Sequence, residues 1–144
     1  MYKSTLQKIV QKSPWLYRIN AGSCNGCDVE LVTTACIPRY DLERLGCKYC
    51  GSPKHADIVL ITGPLTARVK EKVLRVYDEI PNPKVVVAIG ICPISGGVFR
   101  DSYAIEGPLD QYIPVDVNVP GCPPRPQAII DGILEAVEIW KQRV

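Results

Sequence analysis

Four of the seven cysteines in this 144-residue sequence stand where their thiols have glycine beside them: Cys24, Cys27, Cys92 and Cys122. Cys24-Asn25-Gly26-Cys27 is a CxxC pair, whereas Cys92 and Cys122 stand singly, each followed directly by proline. Gly22, Gly26, Gly90, Gly96, Gly97 and Gly121 flank them, which lets backbone approach a bulky inorganic group and offer N–H groups to its sulfurs. Four thiolates are the usual complement of a cubane iron-sulfur cluster or of a structural zinc ion. The pattern favours the cluster. Structural zinc sites pair two close knuckles, and here two of the ligands are isolated, while a Cys-Pro junction resembles the ligand run of bacterial ferredoxins.

The elements that must bring these thiols together can be read from periodicity. Short β-rich runs alternate with helix-period segments, the signature of a parallel sheet with crossover helices and so of an α/β fold. Strands are expected over 15–20, 56–62, 84–89 and 113–119, the third apolar on both faces as a strand covered on each side must be. Leu65, Val69, Val73, Val76 and Ile80 mark one helix face that Pro81 terminates. Pro126 opens a last helix lined by Ile129, Ile133, Val137 and Trp140, with Lys141 and Arg143 near its negative end. Cys24, Cys92 and Cys122 each follow a strand, and in an open parallel sheet such loops meet in the crevice outside the carboxyl ends. Ile37 to Lys54 reads as an irregular surface stretch suited to an interface. Cys36 falls within an expected helix, where packing is the ordinary role of a free cysteine.

Composition narrows the function classes. With 47% hydrophobic and 22% charged residues the chain fits one domain over 1–144, with a core that needs no disulfides. Seventeen Lys+Arg against fifteen Asp+Glu, no basic block and 7% aromatic residues disfavour nucleic acid as a partner. The longest apolar run, Val85 to Cys92, falls far short of the ~20 residues that span a bilayer. Met1 to Lys8 lacks the apolar core of a secretory signal, so a reducing, cytosolic setting is expected for the thiols. Gly22-Ser23-Cys24-Asn25-Gly26 also matches a nucleophile elbow with cysteine as nucleophile, but the single histidine, His55, lies too early for the base of that fold. Neither GxGxxG nor a P-loop is present. A zinc-stabilised interaction module is the reading from a different class.

Gly22 to Glu30, Pro38 to Asp41, Ser52 to Asp57, Gly90 to Pro93 and Pro120 to Pro126 together resemble the small subunit of energy-converting, membrane-bound nickel-iron hydrogenases, which is similar to the quinone-side iron-sulfur subunit of complex I. The resemblance runs from about Trp15 to the C-terminus, and the CxxC spacing favours the hydrogenase branch over the adjacent cysteines of complex I. It implies a flavodoxin-like parallel sheet with helices on both faces and one 4Fe-4S cluster held by Cys24, Cys27, Cys92 and Cys122. It further implies an electron relay, peripheral on the cytoplasmic side of the membrane. Its implied partners are a nickel-iron large subunit, a ferredoxin-like iron-sulfur subunit and membrane-arm subunits, in a hydrogen-evolving, ion-pumping complex. A related complex reducing quinone or a sulfur compound is the alternative. Glu30 would serve in proton transfer by the same resemblance; read by itself it is an acidic residue in the first turn of a helix. Arg39, His55 and Arg125 are candidates for positions near the cluster or the interface. Two departures stand out. Cys47 and Cys50 form an extra CxxC, open to a disulfide, to a zinc site with Cys36 and His55, or to no pairing, and Lys54 replaces the usual arginine, losing a planar bidentate donor.

Overall fold

The computed structural model describes residues 13–144, so the reading of Met1 to Lys8 lies outside the described residues. Five strands, β1 (Trp15–Asn20), β2 (Lys48–Tyr49), β3 (Ile58–Thr62), β5 (Val85–Ile89) and β7 (Val117–Val119), pair in the order β2-β1-β3-β5-β7. Every pair is parallel, with registers such as Leu16 opposite Ile58 and Val59 opposite Val86. β4 (Leu65–Thr66) and β6 (Ile105–Gly107) form a separate antiparallel ladder. The helices are α1 (Gly26–Cys36), α2 (Lys70–Glu79), the short α3 (Ile91–Ser95) and α4 (Pro126–Arg143).

Alternation of side chains sorts the sheet into two buried faces. Leu16, Ile58, Leu60, Val85, Val87 and Ile89 point toward α1 and α4, meeting Leu31, Ile133 and Trp140. Ile19, Val59, Ile61, Val86 and Ala88 point the other way, toward Val73 of α2 and the Leu109–Ile113 segment. β3 and β5 are buried throughout, as strands covered on both sides must be. The α/β fold with helices on both faces is therefore present as the sequence implied. Taken without the β4–β6 ladder, the strand order is the doubly wound one whose direction reverses between β1 and β3, the place where such sheets bind ligands.

Three boundaries depart from expectation. The helix marked from Leu65 begins only at Lys70, because Leu65 and Thr66 are drawn across the strand ends to pair with β6, and Thr66 N–H donates to the carbonyl of Ala21 at 3.2 Å. The last strand is Val117–Val119 rather than 113–119. Ile113 N–H closes a turn onto Leu109, and Asp116 starts the pairing by exchanging hydrogen bonds with Val86 through its backbone and its Oδ2. The stretch from Ile37 to Lys54 is not wholly a surface loop: it contains a turn at Leu42–Leu45 and the edge strand β2, and it buries Leu42 and Cys47.

Candidate metal centre

The carboxyl end of β1 leads into the loop that carries Cys24. Asn20, the last strand residue, accepts hydrogen bonds on Oδ1 from the backbone N–H groups of Gly22 (2.9 Å) and Ser23 (2.8 Å), turning the chain sharply. Ser23 Oγ accepts from Asn25 N–H at 3.0 Å, and Asn25 takes the left-handed conformation (φ 70°) that asparagine tolerates before α1 begins. Close approach here depends on Gly63, whose φ is +82° and where a Cβ would lie 2.2 Å from the Ser23 nitrogen.

The second approach is from β5. Gly90 has φ +92°, and a Cβ there would sit 2.6 Å from the Cys27 sulfur, so only glycine lets the loop bearing Cys92 close onto α1. That loop is tied to the one after β7 by Gly90 N–H donating to Val119 (2.8 Å) and Ile91 N–H donating to Gly121 (2.9 Å). Cys122 follows immediately. Three segments distant in sequence, the turn into α1, the short α3 and the loop after β7, thus bring Cys24, Cys27, Cys92 and Cys122 to one edge of the sheet.

All four thiols are free; Cys27 and Cys92 are buried, Cys24 and Cys122 exposed. Burial pushes the Cys27 thiol up to about 11, and the charges of Cys92, Cys24, Cys122 and then Asp28 push in the same direction. Cys92 is raised by burial and then by Cys122 and Cys24. Each member of the quartet is therefore within electrostatic reach of others, and a cationic core would relieve the repulsion that ionising them creates. Among the described residues, no group of three or more His, Cys, Asp or Glu side chains is of the kind that holds a metal ion. A cubane, in which each thiolate meets a different iron, asks for sulfurs set wider apart than they are round a single ion. Four free, soft, mutually repelling thiols with a glycine at contact distance fit such a group.

Glu30 is half-buried in the second turn of α1, not the first; the acidic residue of the first turn is Asp28. Arg125 is exposed as the residue preceding α4, at the same end of the sheet as the thiols. Arg39 follows the far end of α1, whose 11 residues span about 16 Å. His55 packs edge-on against the ring of Trp15, which opens β1, so His55 and neighbouring Lys54 lie at the amino end of the sheet. That placement removes His55 as a base for Cys24 and with it the nucleophile-elbow reading.

Cys47 and Cys50 do not pair. They bracket β2, and Cys47 joins the core under α1 and α4 while Cys50 packs with the core on the α2 side. Both thiols are raised by burial, and Cys50 donates to the Leu16 and Ser52 carbonyls at 3.4 Å. Cys36 is exposed at the end of α1 rather than packed.

Sequence reasoning missed the polar residues packed beside Cys24 and Cys27. Asp28, only 4% exposed, accepts from Arg18 Nη1 (2.9 Å) and Thr62 Oγ1 (2.8 Å) on Oδ1 and from Asn20 Nδ2 (3.1 Å) on Oδ2. The available signal was the alternation of β1, which turns Arg18 and Asn20 to the α1 face, together with an acidic residue directly after Cys27.

Residues 24–136 match the family described as NADH ubiquinone oxidoreductase, 20 Kd subunit. The chain is 55% identical over 133 residues to the probable membrane-bound hydrogenase subunit mbhJ of Pyrococcus furiosus, covering 92% of this chain and 79% of that one. It is 41% identical over 142 residues to formate hydrogenlyase subunit 7 of Escherichia coli, covering 99% of this chain but only 55% of that relative, so it spans about half of that protein's length. Among solved structures, a chain of the membrane-bound sulfane sulfur reductase, an archaeal respiratory membrane complex, superposes with a TM-score of 0.80 at 38% identity, covering 96% of this chain and 76% of that one. The cysteine motifs and the parallel sheet thus agree with a match over most of the described sequence, and the chain belongs to the NADH ubiquinone oxidoreductase 20 Kd subunit family.

Proposed function

We propose that this chain, as one domain over residues 1–144, is the electron-relay subunit of a membrane-bound oxidoreductase complex and holds one 4Fe-4S cluster through Cys24, Cys27, Cys92 and Cys122. The observation that carries the reading is the gathering of four free thiols from three segments at the carboxyl edge of the sheet, where Cys27 is raised by burial and then by Cys92, Cys24 and Cys122. One-electron transfer is the chemistry such a cluster supplies when bound. The chain's own residues do the rest. Cys27 and Cys92 hold the inner side of the site away from water, while Cys24 and Cys122 bring its outer side to the surface.

Exposed apolar side chains stand on the elements that carry two of the cysteines or follow them: Val29 and Val32 on α1, and Val98, Phe99 and Tyr103 after α3. Such a patch supports docking against a large subunit carrying a nickel-iron site, the acceptor of the relayed electrons in a hydrogen-evolving, ion-pumping complex. Electrons would arrive from a ferredoxin-like iron-sulfur subunit. No helix of the described residues is long and apolar enough to cross a membrane. In the proposed complex, membrane-arm partners would hold the chain on the cytoplasmic side. Glu30, three residues beyond Cys27 and half-buried, is the candidate to pass a proton at the subunit boundary. The likeness to the sulfane sulfur reductase chain favours a second reading, in which the partner reduces a sulfur compound.

The test is anaerobic purification of the chain with its co-purifying subunits, then metal analysis and electron paramagnetic resonance after reduction. A reduced-cluster signal that disappears with the ligand cysteines is expected, and thiol-bound zinc with no iron at this chain overturns the relay. Nickel in the partner together with hydrogen evolution selects the first acceptor; sulfide production without nickel selects the second.

A further inference from the structure

Cys24 and Cys27 sit on different pieces of structure, a loop and a helix, and a short polar chain joins the two. Asn20 uses its amide oxygen on the Cys24 loop, accepting from the N–H groups of Gly22 and Ser23, and its amide N–H on Asp28 in the first turn of α1. The remaining oxygen of Asp28 is filled by Arg18 from β1 and by the fully buried Thr62 from β3. Every position is matched, donor to acceptor, in one sense only. A buried carboxylate is retained at such a place only when its oxygens are satisfied, and here Arg18, Thr62 and Asn20 all donate to it.

Resting on the cluster reading above, we propose that Asn20 and Asp28 are positioning residues that lock the Cys24 loop to the Cys27 helix and so set the geometry and retention of the first ligand pair. Asp28→Asn turns an N–H group toward the Asn20 N–H group, and either that contact or the loop's two bonds must fail. Asn20→Asp brings two carboxylates face to face. Because Asn20 is exposed, water replaces what the loop N–H groups lose, so the damage falls on loop order rather than on folding. Exchanging the pair, Asn20→Asp with Asp28→Asn, restores every bond with the amide and carboxylate trading places and the net charge unchanged: residue 20 still accepts from Gly22 and Ser23, and residue 28 donates to it while accepting from Arg18 and Thr62.

The measurement uses the full chain purified anaerobically with its partner subunits. The reduced-cluster resonance is followed over time under an iron chelator, and the midpoint potential is read by redox titration. Loss of one buried hydrogen-bond arrangement corresponds to about a tenfold effect. Both single variants are expected to lose the signal about tenfold faster than wild type, with the midpoint raised in Asp28→Asn and lowered in Asn20→Asp. The exchanged pair is expected within about twofold of wild type and near its midpoint. Single variants that behave as wild type, or a folded exchanged pair as labile as the single variants, overturn the inference. Should the single variants fail to accumulate, normal accumulation and wild-type retention of the exchanged pair is the expected result and its absence the overturning one. A wild-type complex with no cluster signal overturns the relay reading itself, whereas a wild-type signal with indifferent variants overturns this inference alone.

Discussion

Burial first, and then the neighbouring Cys92, Cys24 and Cys122, hold the Cys27 thiol up at about 11, so it resists ionisation. On the proposed relay reading, iron would have to displace the thiol protons, and each of the four cysteines would matter to retention. Cys92→Ser or Cys122→Ser is expected to abolish or distort the reduced-cluster resonance, while Cys36→Ser, at the exposed far end of α1, leaves it intact. Loss of the signal in Cys36→Ser alone would reassign the ligands. Glu30→Gln should assemble and keep its resonance, yet lower proton-coupled turnover of the complex by about a hundredfold, the scale of one positioned proton-transfer group. Unchanged turnover leaves Glu30 a helix residue. That Cys24, Cys92 and Cys122 each follow a strand was legible in the sequence, because glycine, proline and β-rich runs mark the strand ends. The bonds of Asp28 were not, since they depend on which side of β1 faces α1 and on Thr62, 34 residues away.

α4 packs so closely on the sheet that a Cβ at Gly132 would lie 2.3 Å from Val119 Cγ2. Gly132→Ala therefore sets two effects against each other: about 1 kcal/mol gained in helix propensity and about 1–3 kcal/mol lost to overpacking. Packing should win, because both backbones are regular here and Val119 has little room to move. The expected net loss is about 1 kcal/mol, read from the denaturant midpoint of the cluster-free chain; a higher midpoint would show that α4 can slide. Since β7 leads directly to Cys122, the same substitution should also slow cluster incorporation. The long, strongly patterned elements were readable beforehand, as were the Pro81 stop and the Pro126 start. β2 was not: a two-residue edge strand has no period to detect, and it forms because Lys48 and Cys50 N–H groups find Pro14 and Leu16 carbonyls beside β1. The late start of α2 was hidden because Leu65 is apolar in either conformation and is claimed by the ladder with β6.

At the scale of the whole molecule, the folded polypeptide holds the Cys27 proton more tightly than the unfolded chain, whose thiol has the ordinary value of 9.0. That contribution is fully present below about pH 9 and is lost as the pH rises toward 11, with Cys92, Cys47 and Cys50 shifted in the same direction. Thermal unfolding of the cluster-free chain should show its midpoint falling across that window, and Cys27→Ser should flatten the fall; a flat wild-type profile would remove the argument. If the proposed large subunit docks on the exposed Val98 and Tyr103, Val98→Asp and Tyr103→Asp should spare folding and any cluster resonance but weaken its co-purification about tenfold or more, as charges placed in an apolar contact do. Undiminished co-purification would place the docking face elsewhere. The division of Cys47 from Cys50 by the sheet bears on how the chain is loaded. Although the sequence offers two CxxC pairs, Cys47 and Cys50 are divided between the two core clusters, while Cys24 and Cys27 lie within electrostatic reach of each other, so on the relay reading only the first pair is placed to receive iron and sulfide together.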